Sequence, residues 1–228
     1  KDASLALDMM EYAKKAMVPP FEISVFPDPA GSFTTAAAMV ACTEKTLKEK
    51  FGTSLKDKNV IIYGGKGIVG GISSIMCAEA GATCTIVGYD GIANVAKKAQ
   101  EYKNRFGVDI KPGDGSSDEL NSSYLPEADI VFCAARAGTQ VINIDQIKLA
   151  KSLKVIADVN AVPPAGIEGV NLNDDDTKHP CGAYSIGPLT SGDIKVKTQY
   201  KMFENMCTTD KPLYLNFKEA LDISRNIL

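Results

Sequence analysis

Gly65, Gly67 and Gly70 stand at the spacing G-x-G-x-x-G, with Lys66, Ile68 and Val69 between them. Glycines spaced in this way bring bare backbone against an anion. Gly65 permits the tight turn, Gly67 lets the chain approach a pyrophosphate, and Gly70 allows a helix to lie close to a strand. The N–H groups that open the helix then face the phosphate charge. The pattern alone is weak, and its alternative is a glycine-rich turn that binds nothing. Its surroundings strengthen it: Asn59 to Tyr63 reads as a strand directly before, and Ile68 to Ala80 as a helix directly after, closed by Gly81. A second strand, Thr83 to Asp90, ends in Gly88-Tyr89-Asp90. Asp90 follows Gly70 by roughly 20 residues, where an acid accepts both hydroxyls of a ribose and repels the extra phosphate of NADP. That favours NAD. The alternative is that Asp90 merely caps the next helix. Arg136, just beyond Ala134 and Ala135 at the end of a later strand, lies near the expected adenosine. It either stacks on adenine or reaches a phosphate, which keeps NADP open, and Tyr89 is a second candidate to pack against adenine.

What the chain lacks narrows the chemistry. Neither G-x-S-x-G nor H-E-x-x-H occurs, and the single histidine, His179, stands beside Pro180 in what reads as a surface loop. Cys42, Cys77, Cys84, Cys133, Cys181 and Cys207 form no C-x-x-C pair, so no zinc site is expected. Four of them sit in apolar runs and read as small core side chains. That usage suits a reducing, cytoplasmic compartment. Asp174-Asp175-Asp176 reads as a solvated loop rather than a cation site, and no metal is expected. The chemistry must then ask little of protein acids and bases. Hydride transfer fits, because a nicotinamide takes the electrons and the protein chiefly positions the reactants.

These residues need elements to hold them. The 228 residues, 45% hydrophobic and 23% charged, make one large or two small folded units at ~150 residues per domain. Lys and Arg total 25 against 28 Asp and Glu, so there is no basic surplus for nucleic acid. In the first half the uncharged stretch Gly67 to Ala78 is too short for a membrane span. Lys1 opens a mixed polar segment rather than a secretory leader. Leu5, Met9, Ala13, Ala16 and Met17 recur at helical steps until Pro19-Pro20. Phe21, Ile23 and Val25 alternate as in a strand. Ser32 reads as the N-cap of a helix from Phe33 to Lys50, stopped by Gly52.

From Asn59 onward strands and helices alternate. After the two strands above come a helix from Ala93 to Phe106, a weak strand Val108-Asp109-Ile110, and a turn-rich stretch from Lys111 to Glu119. A strand from Asp129 to Ala135, a short helix near Ile144 to Lys151, and strands Lys154 to Asn160 and Gly182 to Gly187 follow. Final helices span about Ile194 to Met206 and Asn216 to Ile227 and are expected to pack back on the front segment. The alternation implies an α/β protein with a doubly wound parallel sheet covered on both faces.

Three stretches together resemble bacterial methylene-tetrahydromethanopterin dehydrogenases and their methylene-tetrahydrofolate-using sister enzymes. Asp28-Pro29-Ala30-Gly31-Ser32-Phe33-Thr34-Thr35-Ala36-Ala37-Ala38 is similar to their interdomain turn and helix. The glycine loop is the second. The third, Ala157-Asp158-Val159-Asn160-Ala161-Val162-Pro163-Pro164-Ala165-Gly166-Ile167, resembles their Asn-x-x-Pro-Pro loop beside the nicotinamide. Ile194-Lys195-Val196-Lys197 is similar to the paired-lysine segment of their late helix, although two solvated helix-end lysines would look the same.

The likeness covers nearly the whole chain, and it implies a Rossmann-like sheet with a second, incomplete pterin-binding domain. On this reading residues 1–52 are the remainder of the pterin domain with the interdomain helix, 53–190 the dinucleotide domain, and 191–228 helices packing back. The implied reaction oxidises a methylene carbon between two nitrogens to the methenyl cation, with hydride passing to NAD(P). The implied carrier is tetrahydromethanopterin or a folate. Asp28 or Asp158 is the implied carboxylate near the developing charge. Lys195 is the implied active-site lysine, better suited to orient the pterin than to stabilise a cation. Asn160 joins the cofactor-binding set. A homo-oligomer such as a trimer is also implied, with the apolar run Thr34 to Cys42 as an interface. Family members carry a further pterin-binding portion upstream of Lys1, so this sequence is either a fragment or has a reduced pterin site. The NADP-dependent sister enzyme has basic residues where Tyr89 and Asp90 stand, which again favours NAD or dual use.

Overall fold

A computed structural model describes residues 3–228; Lys1 and Asp2, read as the start of the first helix and of the 1–52 segment, lie outside the described residues. The first helix, α1 (Ala3–Ala16), turns Ala3, Leu7 and Met10 inward at helical steps. The expected strand at Phe21, Ile23 and Val25 does not form. Phe21 and Ile23 are exposed, and only Val25 makes an isolated bridge, to Tyr214. Alternating apolar residues make a strand only where a neighbour buries one face, and here none does. The long helix α2 (Ser32–Phe51) follows, ended by Gly52 in the left-handed conformation as expected.

Five strands then alternate with helices: β1 (Asn59–Tyr63), α3 (Ile68–Glu79), β2 (Thr83–Gly88), α4 (Ile92–Phe106), β3 (Ile110–Asp114), α5 (Asp118–Ser123), β4 (Ile130–Cys133), α6 (Ile144–Ile147) and β5 (Val155–Asp158). A hairpin of β6 (Thr177–Lys178) and β7 (Tyr184–Ile186) and the helices α7 (Pro188–Cys207) and α8 (Phe217–Ile227) complete the chain. Among the described residues seven strands lie in the order β3-β2-β1-β4-β5-β7-β6. All neighbours are parallel except β6 with β7. This is a doubly wound, Rossmann-like α/β sheet, and the direction of winding reverses between β1 and β4, where such sheets open a crevice.

Period-two burial divides the core. Val60, Ile62, Ile86, Ile130 and Phe132 join one apolar cluster with α2, α3 and α8, whereas Ile61, Tyr63, Val87, Val131 and Ile156 join a second on the opposite face. In α2, Ala36, Ala37 and Ala38 are fully buried, and the helix packs against α3, α7, α8 and the strands β5 and β7. Small side chains let these neighbours approach closely. Thr34 and Ala36 to Cys42 are therefore covered within one chain, which removes this run as an interface between copies. Phe33 meets Phe217 edge to face at 5.7 Å, and Phe217 meets Phe106 at 5.8 Å, tying α2, α8 and α4 together.

Several boundaries differ from the sequence reading. The third strand is Ile110–Asp114, which shares only Ile110 with the strand expected and otherwise lies in the stretch read as turn, because Pro112 and Gly113 are tolerated at a sheet edge. Helix α7 begins at Pro188, which takes the first helical position, rather than at Ile194. Helix α6 is shorter than expected, and α5 and β6 were not expected. Among the described residues no helix is long and apolar enough to cross a membrane.

Candidate functional site

At the carboxyl ends of β1, β2 and β4 lies a cleft of about 630 Å³, bordered by Gly64, Gly67, Tyr89, Asp90 and Arg136 among others. Its floor is the turn from β1 into α3. The residue that needs to be glycine for conformation is Gly64, at φ +77, and a side chain there would also strike the backbone of Ala134. The tight turn was assigned to Gly65; instead Gly65 lies against Ile86, where a Cβ has no room. The Gly64-Gly65 doublet was the missed signal. Gly70 packs as expected, since a Cβ would stand 2.7 Å from the Gly64 carbonyl oxygen. Gly67, at φ −68 and ψ 166, is the N-cap of α3, and no side chain caps that end. The first-turn N–H groups of α3 are thus left for a ligand. Ile68 and Val69 pack their side chains against the core and do not border the cleft.

Asp90 does not cap α4. The cap position is Gly91, without a side-chain bond, and the Asp90 carboxylate is ion-paired with Lys66. Tyr89 beside it is 85% exposed. Arg136 is exposed on the far wall, and Ala134 and Ala135 form the half-buried end of β4, with Ala134 N–H donating to the Tyr63 carbonyl at 2.9 Å. Lys66, Gly67, Tyr89, Asp90, Ala134, Ala135 and Arg136 thus border one cleft.

Asp158 and Asn160 shape the loop after β5. Asp158 is fully buried, and its carboxylate accepts from the backbone N–H of Asn160 at 2.9 Å and of Ile167 at 3.1 Å. Burial raises its pKa above the ordinary carboxylate value, while the N–H bonds from Asn160, Ile167 and Gly166 pull the other way. The Asn160 side chain accepts from Gly138 N–H at 3.1 Å and Val162 N–H at 3.0 Å, and donates to the Pro164 carbonyl at 2.8 Å. It joins the double-proline loop to the loop that follows β4.

Asp28 caps α2, in place of the expected Ser32, which is the first residue of the helix. A single 3₁₀ turn, Pro29–Gly31, folds the chain back so that Asp28 reaches the helix start. Its carboxylate accepts from Phe33 N–H at 2.8 Å, from the Thr34 hydroxyl at 2.6 Å and from the Gln199 amide at 2.9 Å. Gln199 is the residue the sequence did not flag; it lies one helical turn beyond Lys195. Lys195 itself lies over Gly31, where an added Cβ would stand 2.8 Å from its Nζ. Lys197 is turned away and paired with Asp193 at 2.7 Å.

Two loop assignments are corrected. His179 is only 3% exposed, not a surface residue. Its Nε2 donates to the Glu168 carbonyl at 2.8 Å, which leaves Nδ1 to accept from Cys181 N–H at 3.2 Å. Asp174 is likewise buried, accepting from Asn171 N–H and the Ser185 hydroxyl, and Asp176 is held by Thr46 and Lys50; only Asp175 is exposed. Partners gathered from the hairpin, from Glu168 and Asn171, and from α2 hold these groups in place, which the run of charges concealed. Cys42, Cys77, Cys84 and Cys133 are buried as expected, and burial pushes the Cys42 thiol up to about 12. Among the described residues no group of three His, Cys, Asp or Glu is placed to hold a metal ion.

The family described as Methylene-tetrahydromethanopterin dehydrogenase, N-terminal, matches residues 1–30. The chain is 43% identical over 228 residues to the NAD(P)-dependent methylenetetrahydromethanopterin dehydrogenase of Methylorubrum extorquens, which covers all of this chain and 77% of that protein. It is 30% identical over 201 residues to the Bifunctional protein MdtA of the same organism, covering 86% of this chain and 68% of that one. Among solved structures, an L-alanine dehydrogenase superposes with a TM-score of 0.52 at 14% identity, over 92% of this chain and 67% of that one. That last likeness is one of fold alone.

Proposed function

The chain belongs to the methylenetetrahydromethanopterin dehydrogenase family, and from that premise we propose that it oxidises a methylene-tetrahydropterin to the methenyl form with NAD(P). A methanopterin-type carrier is favoured over a folate. The observation that carries the reading is the uncapped start of α3 behind Gly67, opening on the cleft that Asp90 borders. Bare backbone donors suit a pyrophosphate, and an acid at the end of β2 suits a ribose, so the residues fit a dinucleotide. When bound, the nicotinamide supplies the hydride acceptor. Asp90 at the ribose favours NAD.

The methylene carbon loses hydride and its two nitrogen neighbours share the positive charge, so no proton has to be moved by the protein. The chain's task is position. Asp158 and Asn160 hold the loop after β5 in one shape, and Asn160 fixes it to the loop after β4. Asp28 fixes the start of α2 against α7 through Gln199, and Lys195, one turn earlier on α7 and over Gly31, is on this reading the donor to the pterin. Asp28 and Asp158 add negative potential toward the forming cation at a distance, while their oxygens stay engaged with N–H groups. Residues 1–52 and 191–228 supply the pterin side, and 53–190 the dinucleotide side. Leu5, Met9 and Tyr12, exposed at steps of three and four on α1, support assembly as a homo-oligomer such as a trimer. A cytoplasmic location rests on the use of cysteines as core residues.

The test is a single cuvette holding protein, methylene-tetrahydromethanopterin, and NAD or NADP in turn. Methenyl-pterin and NAD(P)H absorbance should rise together. Dinucleotide binding by calorimetry with neither absorbance change would reduce the cleft to a nucleotide-binding module.

A further inference from the structure

Resting on the reading that the cleft takes a dinucleotide, we propose that Lys66 determines cofactor specificity. Its ion pair with Asp90 offsets the discrimination of that acid and lets one site accept NADP as well as NAD. Lys66 occupies the variable position between the first two glycines of the motif, yet it folds back across the end of β2. An added Cβ at Gly88 would stand 3.2 Å from Lys66 Cδ and 3.5 Å from Asp90 Oδ1. The missing side chain at Gly88 therefore leaves the groove along which the lysine stem lies, and its ammonium meets the Asp90 carboxylate.

The exposure of the pair decides what it can do. Lys66 and Asp90 are 32% and 34% exposed at the cleft wall, so either can exchange its partner for a ligand group without a buried charge being stranded. A lone carboxylate here would repel the phosphate that distinguishes NADP. With the ammonium beside it the local charge sums to zero, and the lysine becomes a charge-assisted donor to that phosphate. Asp90 keeps acceptor capacity for ribose hydroxyls while paired, because a carboxylate offers about four lone-pair sites. Arg136, which also borders the cleft, has no ion pair among the described residues and adds a second cation within the same crevice.

Calorimetry of the full chain with NAD and with NADP tests this, comparing wild type, Lys66→Ala, Lys66→Gln and Asp90→Asn, each checked for fold by circular dichroism. Lys66→Ala should weaken NADP by about tenfold, while NAD changes by less than about threefold. Lys66→Gln keeps the stem but not the charge and should match it; recovery of NADP binding in that variant would overturn the electrostatic assignment. Asp90→Asn should move the ratio the opposite way. Equal weakening of both cofactors by Lys66→Ala, as expected of a lysine that serves the pyrophosphate, would also overturn it. Wild type that binds neither dinucleotide would instead remove the underlying reading of the cleft.

Discussion

The loop after β1 and the loop after β5 leave the same edge of one sheet, and they are shaped by opposite means. In the first, form comes from side chains that are missing. Gly64 turns the chain, Gly65 lies on Ile86, and Gly70 lets α3 sit against the turn. The N–H groups of Gly64, Gly65 and Gly67 are taken by backbone carbonyls, and those of the first turn of α3 are left open. In the second, form comes from side chains that are present. Asp158 and Asn160 gather the N–H groups of Asn160, Val162, Ile167 and Gly138, so the loop arrives with its donors already satisfied. The difference separates a turn with open backbone donors from a loop fixed by its own side-chain acceptors. One loop should fail by steric conflict and the other by loss of acceptors.

The largest expected effect falls on the second loop. Asp158→Ala strands the buried N–H groups that its carboxylate serves and should cost roughly 2–4 kcal/mol in urea denaturation. A loss under about 1 kcal/mol would mean that the loop is held by its prolines instead. Asp158→Asn sharpens the point through pH. Burial raises the native pKa of Asp158, so the native state keeps this proton to higher pH than the unfolded chain does. The contribution of the group is then greatest below the unfolded carboxylate pKa and declines as pH rises through the native value. Stability of the Asn variant, followed from acid toward neutral pH, should lack that decline.

Gly70→Val comes next. Its Cβ would press on the backbone of Gly64 and Gly65, and it should cost roughly 1–3 kcal/mol and abolish dinucleotide binding. Gly67→Val should abolish binding with Tm nearly unchanged, since only the Gly64 carbonyl oxygen lies near its Cβ, at 3.2 Å. Retained binding there would mean that the loop faces elsewhere. Asp28→Ala should cost about 1 kcal/mol for a lost cap. Its turnover should fall further than its Tm suggests, because the link from α2 to Gln199 goes with it. Unchanged turnover would confine Asp28 to a capping role.

The sequence exposed the first loop more fully than the second because glycine spacing is a local code. Asn59 to Tyr63, the glycines and Asp90 are read along one short stretch, and the strand, helix and cleft follow from it. Acceptors that serve distant donors leave no such trace. Ser32 beside the helix looked like the cap because the Asp28 carboxylate acts from across a turn. His179 looked exposed because its partners, Glu168 and Cys181, become visible only once the hairpin has closed. The strand at Ile110 was displaced by Pro112 and Gly113, residues that propensity assigns to turns and that an edge position forgives. Phe21 and Ile23 show the converse, a strand-like alternation with no sheet to join.

The burial of α2 also sets an order of events at the ribosome. Its alanine face is complete long before α7 and α8, the elements that cover much of it, have been made. Until then Phe33 lacks Phe217, and Asp28 lacks Gln199. An apolar helix emerging this early is a binding target for chaperones and a source of off-pathway association. The sheet can close around β1 to β5 while synthesis continues, but Lys195 on α7 reaches Gly31 at the start of α2 only later.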